Sequence, residues 1–175
     1  MPSTSGPVPS AITATVTVVE HDGNDFTYVN GVVTNHSKTA KDIAIDLKGS
    51  NGATLTTYAD DVLAGQTAGF FDELHGNVAK VSIVRTTTTE SKAVPVHAVV
   101  TVTGYDNSDP TMTEISGTIK NTGTTKMTLV AEMQFSDKRV DQVGADDVLP
   151  GQTATWTDVI DGHVTVARVL RVVEG

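Results

Sequence analysis

The chain has 175 residues, no cysteine, and 12 basic against 21 acidic residues, which gives a formal net charge of -9. Without cysteine there are no disulfides, thiolate metal sites or cysteine nucleophiles. The acidic balance excludes nucleic acid as an expected partner, because phosphate binding needs clustered Lys and Arg. No apolar run reaches the roughly 18 residues of a membrane span, so we expect no membrane insertion. The length fits one globular domain or two small ones.

Residues 1–10 are rich in Pro, Ser and Gly, and they lack the basic and apolar regions of a secretory signal. Their three prolines disfavour a regular helix and favour an extended arm. Either the protein is made without secretion, or Met1 begins a trimmed chain whose signal was removed. We expect a protein partner or neighbouring subunit to hold the arm, so a homo-oligomer is one possible assembly.

After the arm, the sequence has the patterns of β-strands. Ile12–Val19 and Val29–Thr34 are rich in Val and Thr, which suit a pleated, half-buried surface. Asp42–Lys48 alternates apolar and polar residues with a period of two, as a half-buried strand does. Further strands are predicted at Val99–Thr103, Ile115–Lys120 and Thr128–Phe135. Turn signals lie at Asp22-Gly23, Asn51-Gly52, Ala64-Gly65, Asn107-Ser108-Asp109 and Pro150-Gly151.

The two halves of the chain are copies of one another. Residues 12–86 align without a gap to residues 98–172 at an offset of 86, and ADDVLAGQTA at Ala59–Ala68 matches ADDVLPGQTA at Ala145–Ala154. The same offset pairs Phe70 with Trp156, which we interpret as core anchors rather than as ligand-stacking residues. The repeat therefore predicts two domains of the same fold.

The domain boundaries follow from the repeat. We assign the first domain to residues 11–86, a polar linker to residues 87–95, and the second domain to residues 96–175. The Thr run at Thr86–Thr89 leaves a second possibility, in which the last strand of the first domain continues into this segment. About seven short strands in about 85 residues are typical of an antiparallel β-sandwich. The predicted class is all-β, with two tandem immunoglobulin-like β-sandwiches.

Short motifs in both copies resemble those of FxLYD-type domains. Ile115–Gly123 is similar to the family's G-x-V-x-N-T-G opening, and Val148–Trp156 is similar to its L-x-P-G-Q/E-x-x-x-F/W closing motif. The second copy also has the family's Asp-containing turn, at Phe135–Asp137. The first copy departs from this pattern where Ala64 replaces the proline and where Gly49–Gly52 replaces the Phe–Asp turn. The resemblance implies an immunoglobulin-like or fibronectin-like, non-enzymatic module of the kind found outside the cytoplasm in bacterial envelope proteins.

The repeated motif residues have structural explanations. A glycine within a strand, at Gly31 and Gly117, suits close packing or a bulge. An asparagine before a turn, at Asn35 and Asn121, suits a hydrogen bond from the side-chain amide to the local backbone. These motifs supply no catalytic residue.

The sequence indicates neither a catalytic site nor a cofactor site. The five histidines, whose spacing fits no zinc site, are interpreted as surface or turn residues: His21, His36, His75, His97 and His163. No G-x-S-x-G elbow and no glycine-rich phosphate loop occurs. We therefore expect a protein that is not an enzyme.

Acidic loop residues are the candidates for a metal site, because carboxylate and amide oxygens can hold calcium. The candidates are Asp22, Asn24, Asp60, Asp61, Asp146 and Asp147. None of their segments matches an EF-hand, and the favoured alternative is that the charges solvate a turn and protect an edge strand. The expectation is that no metal binds.

Two functional hypotheses remain. The first is a structural or interaction protein displayed on a multi-subunit surface, such as a phage capsid decoration or other virion protein. The second, favoured by the resemblance, is an extracytoplasmic binding or adhesion module of a bacterial cell-envelope protein. The Thr-rich strands fit either a polar binding surface or the ordinary solvent side of a sheet.

Overall fold

The Val- and Thr-rich segments form strands that pair in antiparallel sheets. A computed structural model describes residues 10–21 and 25–175. The first copy contains β1 (Ile12–His21), β2 (Phe26–Asn35), β3 (Lys41–Gly49), β4 (Thr54–Val62), β5 (Thr67–His75) and β6 (Val81–Glu90). The second contains β7 (Ala98–Asp106), β8 (Met112–Asn121), β9 (Met127–Phe135), β10 (Val140–Val148), β11 (Thr153–Asp161) and β12 (Ala167–Glu174). Each strand of the second copy begins 86 residues after its counterpart.

Each copy consists of two three-stranded sheets. In the first copy the strand orders are β1-β2-β5 and β4-β3-β6, and in the second they are β7-β8-β11 and β10-β9-β12. Buried residues from both sheets of a copy form one hydrophobic cluster, and the two copies have separate clusters. The all-β class and the tandem β-sandwich architecture are therefore confirmed.

The strand count differs from the expectation of about seven, since each copy has six. Strand β6 also continues through Thr86–Glu90, so residues 87–90 of the segment assigned to the linker are part of a sheet. The pairing extends from Ile45 with Thr86 to Lys41 with Glu90, and the Lys41 ammonium donates to the Glu90 carboxylate. Threonine suits a strand, and the ion pair holds its end. The connection between β6 and β7 spans residues 91–97.

The strand glycines make room for the core aromatics. A Cβ atom on Gly31 would lie 2.0 Å from Phe70 Cζ, and one on Gly117 would lie 2.2 Å from Trp156 Cζ2. Both aromatic side chains are buried. Close packing at these glycines is confirmed, as is the interpretation of Phe70 and Trp156 as core anchors.

The two repeated asparagines join the sheets of their own domain. Asn35 Nδ2 donates to Thr39 O at 2.8 Å and to Val62 O at 2.7 Å, and its Oδ1 accepts from Ser37 N at 2.9 Å. Asn121 makes the corresponding bonds in the second copy. The hydrogen bond from the amide to the backbone of the turn confirms the prediction. The bond to Val62 O, at the end of β4, additionally joins the two sheets of the sandwich. Both asparagines are fully buried, so their satisfied amides stabilise the fold.

Among the described residues, none belongs to a helix of the length and apolarity needed to cross a bilayer.

Candidate interaction site

A network of buried polar groups lies where the two sandwiches meet. There, the β5 edge of the first domain contacts the outer surface of the β10-β9-β12 sheet, which we call the docking face and which includes Glu132, Val140 and Arg171. Strand β5 is at the edge of its sheet, and an edge strand presents backbone groups that lack a strand partner. One of these groups, the N–H of Gly69, donates a hydrogen bond to Glu132 Oε2 at 2.9 Å.

A buried ion pair forms the centre of the docking face. Arg171 Nη2 lies 2.6 Å from Glu132 Oε1, and Arg171 Nη1 donates to the backbone oxygen of Asp60, also at 2.6 Å. The Glu132 side chain is only 3% exposed and the Arg171 side chain only 5%. Both charged residues belong to the second domain, whereas Gly69 and Asp60 belong to the first. The first domain therefore supplies backbone groups to both ends of the pair, which offset part of the cost of burying the charges, while Arg171 Nε has no hydrogen-bond partner within the described residues.

Two further hydrogen bonds connect the domains. Val140 N donates to Asn30 Oδ1 at 3.0 Å, and Asn30 is buried. Thr17 Oγ1 donates to Lys138 O at 2.9 Å. Thr17 lies in a β-bulge, where the pairing of β1 with β2 shifts between Val16 and Val18. A bulge redirects a side chain from the regular alternation of a strand, and here that side chain bonds to the other domain.

The approach of the two domains depends on a missing side chain. A Cβ atom added to Gly69 would lie 2.1 Å from Val140 Cγ1. In the second copy the position of Gly69 is occupied by Thr155. Glycine at this position therefore permits the close docked arrangement, and the sequence repeat does not preserve it.

The first domain carries the same charge pair in an exposed setting. Asp46 and Arg85 stand at the repeat positions of Glu132 and Arg171, and Arg85 Nη2 lies 2.8 Å from Asp46 Oδ2. Their side chains are 26% and 68% exposed. Hydrogen bonds from Thr56 and then from Arg85 lower the pKa of Asp46. We call this surface, the outer side of β4-β3-β6 around Asp46, Thr54 and Arg85, the open face.

The calcium candidates fall into two groups. Asp22 and Asn24 lie outside the described residues. The pairs Asp60–Asp61 and Asp146–Asp147 lie at register shifts near the ends of β4 and β10. In both bulges the second aspartate has a φ of 56°, a left-handed conformation that Asp tolerates better than most residues. The repeated Asp pair therefore has a backbone explanation that the sequence analysis missed.

The carboxylates of these bulges interact with nearby protein groups. Asp61 accepts a hydrogen bond from Ser91 Oγ, and Asp147 Oδ1 lies 2.8 Å from Lys126 Nζ. Within the described ranges, no group of three or more His, Asp or Glu side chains is placed to hold a metal ion.

The five histidines are exposed and separate. His21 Nδ1 lies 2.8 Å from Phe26 O, and His163 Nε2 lies 3.1 Å from Asp109 O. The ring of His75 meets the Phe26 ring edge to face at 5.5 Å. Their interpretation as surface residues is confirmed.

The surroundings of Asp158, in the second domain, raise the pKa of its carboxyl group. Burial raises the pKa of Asp158, and the neighbouring negative charge of Asp141 raises it further. Asp158 Oδ1 accepts from Val159 N at 2.9 Å, whereas Oδ2 has no hydrogen-bond partner within the described residues. The charged form of Asp158 is therefore disfavoured in the folded protein.

The sequence analysis did not identify the docking face. A usable signal was present: the repeat preserves a carboxylate–arginine pair, at Asp46 with Arg85 and at Glu132 with Arg171, and it changes Gly69 to Thr155. No protein-family model matches the chain, and no significantly similar curated protein was found.

Proposed function

We propose that the protein is a non-enzymatic structural or interaction protein displayed on a multi-subunit surface, as an accessory or decoration protein of a phage capsid. The observation that supports this proposal is the docking of the two sandwiches. A buried ion pair orients the domains, because its carboxylate and its guanidinium each make a directional hydrogen bond to a backbone group of the first domain. A protein built to present surfaces in a defined arrangement benefits from such docking.

The exposed surfaces that this arrangement presents are largely polar. On β7, β8 and β11, Thr101, Thr118 and Thr155 stand side by side across the three strands. On the first domain, the open face presents the Asp46–Arg85 pair. A rim of polar groups and a few exposed apolar side chains is typical of surfaces that bind other proteins reversibly. These features support an interaction role.

The second candidate is an extracytoplasmic binding or adhesion module of a bacterial cell envelope. It is favoured by the resemblance of the Gly31/Gly117 and Asn35/Asn121 motifs to FxLYD-type domains. In both copies these residues make the same core and turn contacts. The motif therefore acts as a unit of structure, as expected if it specifies a fold that recurs in such modules.

The gene sequence upstream of Met1 and the location of the protein distinguish these candidates. We expect the protein to co-purify with virus particles through a density gradient. A signal peptide or lipobox encoded upstream, with the protein in the cell-envelope fraction, would overturn the virion proposal in favour of the envelope one.

A further inference from the structure

The open face has a carboxylate–arginine pair equivalent to that of the docking face, but neither described domain rests on it. We propose that the open face is a docking site for the edge strand of a β-sandwich belonging to a different protein, and that this edge carries a glycine at the point of contact. This inference deepens the proposed function, on which it rests, by naming the kind of partner.

The internal interface provides the template for the contact. There, the Glu132 carboxylate accepts a backbone N–H from an edge strand, and the Arg171 guanidinium donates to a backbone carbonyl. On the open face, Asp46 and Arg85 occupy the corresponding positions of β3 and β6. The Arg85–Asp46 pair is already formed, with Arg85 Nε donating to Asp46 Oδ2 at 2.9 Å. The pair is therefore oriented before a partner arrives, which reduces the entropy lost on binding.

The open face also offers a shallow groove and exposed apolar surface. The groove beside the pair is lined by Leu55, Thr56 and Val84, among others. Val84 on β6 and Tyr58 on β4 are each 63% exposed. Tyrosine is among the residues enriched at protein interfaces. Burial of these two side chains would add to the polar contacts around Asp46 and Arg85.

A second copy of this chain does not fit the open face. The only equivalent edge in the described chain that its own docking leaves uncovered is β11, where Thr155 replaces Gly69. The position of Val140 is taken on the open face by Thr54, which is also β-branched. A Cβ atom at the glycine position already overlaps the facing side chain in the internal interface. Thr155 therefore blocks self-association through this face, and the site stays available to another protein.

The blocking role of Thr155 gives a direct test in the full-length chain. The Thr155→Gly variant gives the β11 edge the glycine that the β5 edge has at Gly69. We expect this variant to self-associate, so that its mass in analytical ultracentrifugation rises with protein concentration. Head-to-tail contacts of this kind do not close on themselves as a two-fold dimer does. The matched Thr155→Ala variant keeps the Cβ atom. It should associate at least about tenfold more weakly, a change of about 1.4 kcal/mol.

The Arg85→Ala substitution, added to Thr155→Gly, identifies the face that is used. It should return the protein to a monomer. Circular dichroism and thermal melting establish that each variant is folded, so that aggregation of an unfolded chain is not mistaken for docking. Should folded Thr155→Gly remain monomeric, or associate regardless of Arg85, the docking site is disproved.

The wild-type protein tests whether the occupant of the open face is a second copy of the chain. Self-association of the wild-type protein that Arg85→Ala abolishes would show that the occupant is a second copy, which overturns the assignment to a different protein. These results are separate from the proposed function, because gene context and particle association test that function without reference to the open face.

Discussion

The two copies of the repeat place one charge pair in two environments. In the second domain, Glu132 and Arg171 are nearly inaccessible to solvent and bond to backbone groups of the first domain. In the first domain, Asp46 and Arg85 lie on an open sheet face. Exposed ion pairs contribute little to stability, whereas the loss of one partner from a buried pair leaves an uncompensated charge. Equivalent positions in a repeat can therefore differ greatly in energetic importance.

The difference is caused by the neighbouring domain rather than by the local sequence. Both pairs connect the same two strands of a β-sandwich, β3 with β6 and β9 with β12. Within the described residues, the second pair is covered by the β5 edge, which Gly69 lets approach Val140. A residue without a side chain thus permits the close contact that makes this copy of the pair part of an interface.

The largest expected effect comes from breaking the buried pair. Glu132→Ala leaves Arg171 buried without its carboxylate, which should lower the free energy of unfolding by about 3–5 kcal/mol in urea titration. The matched Asp46→Ala variant should have a much smaller effect, because Arg85 is solvated. Equal effects of the two substitutions would show that burial does not distinguish the pairs.

The second-largest expected loss of stability comes from core glycines and should be the same in both copies. Gly31→Ala and Gly117→Ala each introduce a Cβ atom within 2.5 Å of a backbone oxygen, that of Thr15 or Thr101, and still closer to an aromatic ring. Overpacking of this kind costs about 1–3 kcal/mol or more. Thermal and urea unfolding should show comparable losses for the two variants. A loss confined to one copy would contradict the equivalence of the two cores.

Substitution of the interface glycine should lower the stability of the protein more than substitution at the matching position of the second copy. Gly69→Ala places a Cβ atom against Val140 and should cost about 1–3 kcal/mol, whereas Thr155→Ala at the matching position should change stability little. In a double-mutant cycle, Val140→Ala should recover part of the loss caused by Gly69→Ala. Strict additivity of the two substitutions would count against direct contact between these residues.

The smallest effect depends on pH. Because the folded protein raises the pKa of Asp158, protonation stabilises the folded state, and this contribution is lost as the pH rises through the folded-state value. Asp158→Asn removes the charge, so the variant should be more stable than the wild type at neutral pH. The difference should fade as the pH falls below the ordinary aspartate value of 3.8. A pH-independent difference in melting temperature would contradict this account.

Much of the fold could be predicted from the sequence, because alternation and turn chemistry act locally. The repeat, the strand pattern of Asp42–Lys48 and the aromatic pair Phe70/Trp156 all predicted features that the structure contains. The number of strands and the extension of β6 to Glu90 were harder to predict, because a Thr-rich segment suits both a strand and a polar linker.

The candidate site could not be predicted in the same way. Its contacts join residues that are far apart in sequence, such as Gly69 with Glu132 and Asp60 with Arg171. Which sheet face is covered depends on the orientation of the two domains, and no local pattern encodes that orientation. The exchange of Gly69 for Thr155 between the copies is visible in the sequence, but the contact with Val140 that explains it exists only in the folded arrangement.

The central claim is that docking through the Glu132–Arg171 pair holds the two sandwiches in one orientation. Since the chain has no cysteine, Val84→Cys and Val159→Cys can carry a pair of spin labels at exposed sites, one in each domain. Double electron–electron resonance should give a single narrow distance distribution, and Glu132→Ala should broaden it. An equally broad distribution with Glu132 intact would contradict the claim.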